Sequence, residues 1–443
     1  MKKVAYCLAI IIFLMSIGLV FNDNIWFDES YTLELVKHNF TDITSLLEMD
    51  MHPPLYFISL KIWMNCAGYS LVQAKIFSAL GLLATLILGC TLIRKDFGER
   101  VACLFILFVA ATPMVYYFSV QPRCYSWCVF WVTFCFVMGN RVMNKKSFYN
   151  YILFAMGCLF AAYNHIYALI AVAGLAGFVN LYLLHKRKGV RNIILTDFIV
   201  LLGYAPWMPV LFSQTWSAAS GFWLTSLEPL SVIVFSISAV IFFLILGRKE
   251  NKKLFVIYGT FTIMFVQVLG LGISLIMRPL YIARYAVPLV GIFALVMACC
   301  FKKPDAAKKV IVLIVSAIIL QYIGTFRFEY SASISEFRTE FDKENGNNNI
   351  FLYTDSSFGV MSYYYPGNTH MCFCYEPWFE VWQNVWFVDE KDLMEEKNGY
   401  KQWYVVNRKS KVPDWVETKW KMILKYSFRN DFNDFDVYLL DRV

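Results

Sequence analysis

Charge is what this 443-residue sequence has least of: Asp, Glu, Lys and Arg make up 16% of it, where a soluble globular domain carries roughly 25%. Set against 59% hydrophobic and 18% aromatic content, that shortage excludes an ordinary soluble enzyme and implies a chain built for a bilayer. Metal and disulfide spacings are missing too. Ten of the twelve cysteines (Cys7, Cys66, Cys90, Cys103, Cys124, Cys128, Cys135, Cys158, Cys299 and Cys300) sit in or beside apolar runs, where free cysteine behaves as a small hydrophobe. Cys372 and Cys374 lie outside those runs, but a C-x-C pair is usually cramped for a bridge and no CxxC partner exists, so both are expected to be structural. No phosphate-binding glycine loop is present, and no nucleic-acid partner is expected. No small-x-small cleavage site follows "MKKVAYCLAIIIFLMSIGLVF", which is therefore expected to be a retained first span rather than a cleaved signal.

A span needs about 20 mostly apolar residues, and eleven segments qualify: approximately 4–21, 71–93, 101–120, 124–142, 149–163, 166–184, 193–213, 229–247, 254–276, 280–300 and 309–326. The stretch 53–68, "PPLYFISLKIWMNCAG", is ambiguous. Charge decides it, because short cytoplasmic loops carry the excess of Lys and Arg. With eleven spans and the N-terminus inside, "RKDFGER", "RVMNKK", "HKRKGVR", "GRKENKK" and "FKKPDAAKK" all face inward. Together with Lys2 and Lys3 they hold 20 of the 26 basic residues before position 327. Counting 53–68 as a span would reverse every one of these loops. It is expected instead to be an interfacial or re-entrant helix within one external loop, 22–70.

The character changes after 326. Residues 327–443 hold 14 Lys plus Arg against 19 Asp plus Glu, net −5, whereas 1–326 hold 26 against 13, net +13. The runs "NIFLYT", "QWYVVN", "KMILKYSF" and "DVYLL" read as strands between polar, helical segments. The expectation is a polytopic helical membrane domain, 1–326, followed by a small extracytoplasmic α/β domain, 327–443, in a multi-pass protein of the plasma membrane.

Ionisable residues at the external face are functional candidates by default. They are Asp28 and Glu29 in "NIWFDESYT"; Asp50 and His52 in "EMDMHPPLYF", with Pro53 and Pro54; Arg123 and Tyr125 in "FSVQPRCYSW"; Asn164 and His165; Glu228; and Arg278, Arg284 and Tyr285 in "MRPLYIARYAVP". Each has an ordinary explanation. Arginine at a span end snorkels, Asp28 and Glu29 suit a helix N-cap followed by a first-turn acid, and Glu228 suits the N-terminal acid of a span. A lone histidine near an apolar face is more often hydrogen-bonded structure than a ligand. Trp26, Tyr56, Trp63 and Trp223 anchor an interface as readily as they stack on a sugar. Taken together the group is chemically coherent: guanidinium forks match phosphate oxygens, and a carboxylate beside an anion pocket is placed to act as a general base. Asp50, His52 and His165 are also acceptable ligands for a divalent ion such as zinc or manganese.

"WFDESYT", "DMHPPLYFISLKIW", "GYSLVQAKIFSALGLL", "PMVYYFSVQPRCYSW" and "RPLYIARYAVP" together resemble the GT-C polytopic glycosyltransferases, in the family 39-like branch of protein O-mannosyltransferases and lipid A aminoarabinose transferases. The resemblance covers roughly residues 20 to 290. It implies a GT-C fold, a polyprenyl-phosphate sugar donor, and inverting transfer on the external face to a glycan, lipid or protein of the cell envelope. Asp28 matches the family's catalytic acid with Glu29 its neighbour, and "HPPL" at 52–55 matches the first-loop motif. Arg123 with Tyr125, and Arg284 with Tyr285, match its R-x-Y-like and late R-Y elements. Lys75 stands where members commonly carry Arg. Two other readings compete. A lipid-linked sugar transporter calls for inverted repeats with broken helices meeting at mid-membrane, and no such repeat is visible. A non-catalytic glycan- or lipid-binding protein leaves the Asp-Glu pair without a task.

Overall fold

The computed structural model describes residues 4–442 apart from 114, 146, 222–225, 248–253, 277–278, 302–303, 332, 347, 394, 398 and 431–432. Its contacts divide it into two compact units: Met1–Gly18, Asp50–Ser59 and Lys75–Tyr322 in one, and Leu19–Met49, Leu60–Ala74 and Ile323–Val443 in the other. The cut near 322 lies close to the change in composition at 326. What composition did not indicate is that most of the loop 22–70 groups with the C-terminal region.

Among the described residues, seven helices are long and apolar enough to cross a membrane: Leu71–Phe97, Tyr125–Asn144, Ile166–His185, Val190–Ser217, Leu254–Ile276, Ala283–Cys300 and Ile311–Asn345. Val4–Ile17, Phe148–Ala162 and Pro229–Ile241 are shorter apolar helices. Along Val190–Ser217 the side chains of Ile194, Phe198, Leu201 and Leu202 are exposed. That is costly in water and ordinary against lipid. The chain is an integral membrane protein. The expected span 101–120 is two helices, Glu99–Ala111 and Val115–Val120. Thr112 between them is extended, because it precedes Pro113 and a residue before proline is pushed out of the helical region. The stretch 53–68 forms the helix Leu55–Ala67 of 13 residues, shorter than a span requires.

Small residues let the spans approach. A Cβ on Gly81 would lie 2.7 Å from the backbone nitrogen of Trp127 and 2.8 Å from the carbonyl carbon of Ser126. The same contact is fastened by Ser126 Oγ donating to the Ser78 carbonyl (2.6 Å) and Trp127 Nε1 donating to the Phe77 carbonyl (3.0 Å). Gly81→Ala is therefore expected to push two helices apart, costing about 1–3 kcal/mol. Thermal unfolding in detergent checks this. Gly177→Ala, where nothing lies within 4 Å, is expected to leave Tm unchanged or raise it, since alanine is the better helix former.

The second unit is built on a six-stranded sheet. Its strands are β1 (Asn349–Tyr353), β2 (Thr369–Cys372), β3 (Val385–Phe387), β4 (Lys401–Asn407), β5 (Trp420–Asn430) and β6 (Asn433–Arg442), in the order β3-β2-β1-β4-β6-β5. β3, β2, β1 and β4 are parallel, and β6 pairs antiparallel with both β4 and β5. Parallel strands need a crossover between them, and the helix Ser357–Tyr364 supplies it from β1 to β2. β1 is buried at all five positions, as a sheet covered on both faces requires. One core gathers Ile350, Leu352, Tyr404, Val406 and Trp420. The four strand-like runs in the sequence are β1, β4, β5 and β6. β2 and β3, at four and three residues, are too short to show a period-2 pattern.

Candidate functional site

In the second unit, Asp28 lies in the first turn of the helix Phe27–Leu35, whose N-cap is Trp26. The expected cap, Asp28, is thus two residues inside, and both acids are first-turn acids. Asp28 is half-buried and Glu29 is buried. The Glu29 carboxylate reaches back to accept the Trp26 N–H (3.1 Å), the half of a capping box that a tryptophan N-cap allows, since indole has no acceptor. Phe27 anchors this turn in an aromatic nest of Phe358, Trp378, Phe379 and Trp382, with ring centroids 5.0–6.2 Å away. Ser30 Oγ donates to the Gly359 carbonyl and accepts from Trp382 Nε1 (3.0 Å). His38 Nε2 meets the Val381 carbonyl at 2.9 Å. A Cβ on Gly359 would strike Phe27 at 2.6 Å, so only glycine lets the ring in. The turn bearing Asp28 is therefore set by residues more than 300 positions away.

In the first unit, the other candidates form a continuous chain. Asp50 Oδ2 lies 2.7 Å from His52 Nδ1, and His52 Nε2 lies 2.6 Å from Arg123 Nη2. A guanidinium only donates. Nε2 is then the acceptor, and Nδ1–H donates to Asp50. Burial pushes the Asp50 carboxyl up, but the contact with His52, the Met51 backbone N–H and the Arg123 charge outweigh it and hold it down at about 2. Gln214 Nε2 donates to the Asp50 carbonyl, and Leu55 N–H donates to the Tyr163 carbonyl (3.0 Å). Pro53 and Pro54 are buried between them. Arg123, 3% exposed, is thus oriented rather than snorkelling.

His165 caps the helix Ile166–His185, its Nδ1 accepting the Tyr167 N–H (3.1 Å). Burial, followed by the proximity of His52 and the charges of Arg123 and Arg284, holds it well below the usual imidazole range. Its ring lies 6.3 Å from His52, 5.9 Å from Tyr125 and 5.4 Å from Tyr285. Tyr285 stacks on Tyr167 at 4.6 Å, and the Arg284 guanidinium lies 5.9 Å from the Tyr285 ring. Three separate turns thus bring Arg123, His165 and Arg284 to one place. Arg278 and Trp223 lie outside the described residues. Glu228 does more than begin a span: Oε2 accepts the Ala283 N–H (2.7 Å) and the Ser231 hydroxyl (2.8 Å), and Ser274 Oγ accepts the N–H groups of Leu280 and Tyr281. Together they pin the irregular segment that presents Arg284.

Tyr56 donates to or accepts from Ser78 Oγ (2.8 Å), and Trp63 Nε1 donates to the Gln73 carbonyl (3.0 Å); both hold structure. Gln214, Tyr163, Tyr167 and the anchoring use of Glu228 were not anticipated. Only Gln214 and Glu228 carried a signal, as polar side chains at the edges of apolar runs. Among the described residues, no group of three His, Cys, Asp or Glu side chains is arranged to hold a metal ion.

These features define a class: a polytopic helical membrane protein with an α/β domain, carrying clustered arginines and histidines in one unit and a buried acidic turn in the other. No protein-family profile and no curated protein matches the sequence. The fold is similar to that of ArnT from Cupriavidus metallidurans bound to undecaprenyl phosphate, at 11% identity and a TM-score of 0.63 over 98% of this chain and 97% of that one. The apo state of the same protein matches at 12% identity, TM-score 0.63 and the same coverage. The chain has an ArnT-like, GT-C-type fold, as the sequence motifs implied.

Proposed function

We propose that this protein is a membrane glycosyltransferase that moves a sugar from a polyprenyl-phosphate carrier to a cell-envelope glycan, lipid or protein on the extracytoplasmic face. The observation that carries the reading is the Asp50, His52, Arg123 chain: a buried guanidinium is aimed by an imidazole into a turn cluster shared with Arg284, which is what a phosphate monoester or diester requires. The ArnT fold, solved in that protein with undecaprenyl phosphate, supports the same donor class. Loop pairing supports the topology, since Asp96 of "RKDFGER" accepts from Arg141 (2.5 Å) and Lys145 (3.2 Å) of "RVMNKK", two loops expected inside.

In the proposed reaction Asp28 takes the proton of the acceptor hydroxyl as its oxygen attacks the anomeric carbon. The bond from that carbon to the phosphate oxygen breaks, and its electron pair leaves with polyprenyl phosphate. Arg123 and Arg284, with Tyr125 and Tyr285 beside them, neutralise the charge that develops there. Backside attack inverts the anomeric centre. A divalent ion shared by Asp50, His52 and His165 does not fit this donor set, because both nitrogens of His52 and Nδ1 of His165 already have hydrogen-bond partners. Membranes containing the protein are expected to transfer label from radiolabelled polyprenyl-phosphate sugars, with competition by undecaprenyl phosphate and no loss in EDTA. Saturable donor binding without transfer would favour the binding-protein reading, and loss in EDTA restored by one ion would restore the metal.

A further inference from the structure

β2 ends at Cys372, and the chain continues through Cys374 into the turn Pro377–Val381. Residues two apart on an extended segment point to the same face, and here their Sγ atoms are 2.9 Å apart. The backbone around them is fixed on both sides: Phe373 N–H donates to the Tyr353 carbonyl (3.0 Å), and Val388 N–H to the Cys372 carbonyl (2.9 Å). Cys372 is buried and Cys374 half-exposed. Downstream, Trp378, Phe379 and Trp382 form the nest around Phe27, the residue before Asp28.

We propose that Cys372 and Cys374 are a redox-active pair that closes to an intramolecular disulfide and clamps the strap from β2 to Pro377–Val381 beneath the Asp28 turn. That the bridge forms in an oxidising compartment rests on the outward placement in the proposed function; the pairing itself does not. The contraction required is from 2.9 Å to a bond of about 2.05 Å. The oxidant is an external disulfide, glutathione disulfide or that of a dithiol oxidoreductase. Cys374, the accessible partner, attacks it as the thiolate, forming a mixed disulfide and releasing one thiol. Cys372 then attacks Cys374 Sγ and releases the second. The protein gives up two electrons and two protons, and the external disulfide becomes two thiols. Burial pushes the Cys372 thiol up, so the first attack falls to the more accessible Cys374.

The test uses the full-length protein, extracted from membranes with N-ethylmaleimide present and read by peptide mass spectrometry. The expected peptide spanning 372 and 374 is two hydrogens lighter and takes label only after reduction. Free thiols on isolation that close with oxidised glutathione would uphold the pairing and sink the outward placement. Labelling of both cysteines before and after oxidised glutathione would overturn the pairing itself. With Cys372→Ser, Cys374 is expected to retain glutathione as a mixed disulfide, whereas Cys374→Ser leaves Cys372 largely unmodified. Amide exchange over 373–382 is expected to rise several-fold on reduction while β4 is unmoved; equal exchange in both redox states would remove the clamp.

Discussion

Asp28→Asn is expected to lower sugar transfer by about 10²–10⁴-fold, the usual contribution of a positioned general base. The loss falls on kcat. In the proposed reaction the donor phosphate is held by Arg123 and Arg284, so donor KM stays within a few-fold of wild type, and Tm is unchanged because asparagine keeps the size of the side chain in its half-buried turn. Initial rates with a radiolabelled donor, alongside unfolding in detergent, separate these effects. Transfer within about two-fold of wild type would remove Asp28 from catalysis, since no base of that role is so dispensable. Glu29 serves as the contrast. Its carboxylate caps Trp26 N–H from a buried position, so Glu29→Ala is expected to show its effect first as lost stability, about 0.5–2 kcal/mol for a lost cap.

The second large effect is expected at Arg123. Arg123→Lys keeps a positive charge but not the planar fork that meets His52 with one nitrogen and leaves the others to clamp a phosphate bidentately. Charge-assisted hydrogen bonds are worth about 1.5–3 kcal/mol, so donor affinity is expected to fall about ten- to a hundred-fold, read as donor KM or by direct binding of undecaprenyl phosphate. Wild-type affinity in this variant would remove Arg123 from the donor site. His52→Ala is expected to produce a smaller fall, by freeing Arg123 from its aim. The network should also survive mild acid. The folded Asp50 carboxyl sits at about 2, below the ordinary value of ~3.9, so its contribution is complete above that ordinary value and is lost as pH falls through about 2. Donor binding limited by Asp50 is therefore expected to be flat from pH 5 upward.

The membrane class, the positions of the apolar helices and four of the six strands were legible in the linear sequence. Each rests on hydrophobic run length, charge asymmetry or a period-2 pattern, which are properties of neighbouring residues. The candidates Asp28, His52, Arg123 and Arg284 were legible as residue types, through the charge rule and the GT-C motifs. Their working relations were not. That His52 aims Arg123 depends on side chains 71 positions apart. That Glu228 holds Ala283 depends on a separation of 55. The nest that seats Phe27 before Asp28 comes from 358–382, and a hydrogen bond or ring contact across such a distance leaves no local pattern to read. Tertiary structure alone decided which polar groups meet, because buried donors and acceptors take whatever partner the packed helices and sheet bring within about 3 Å.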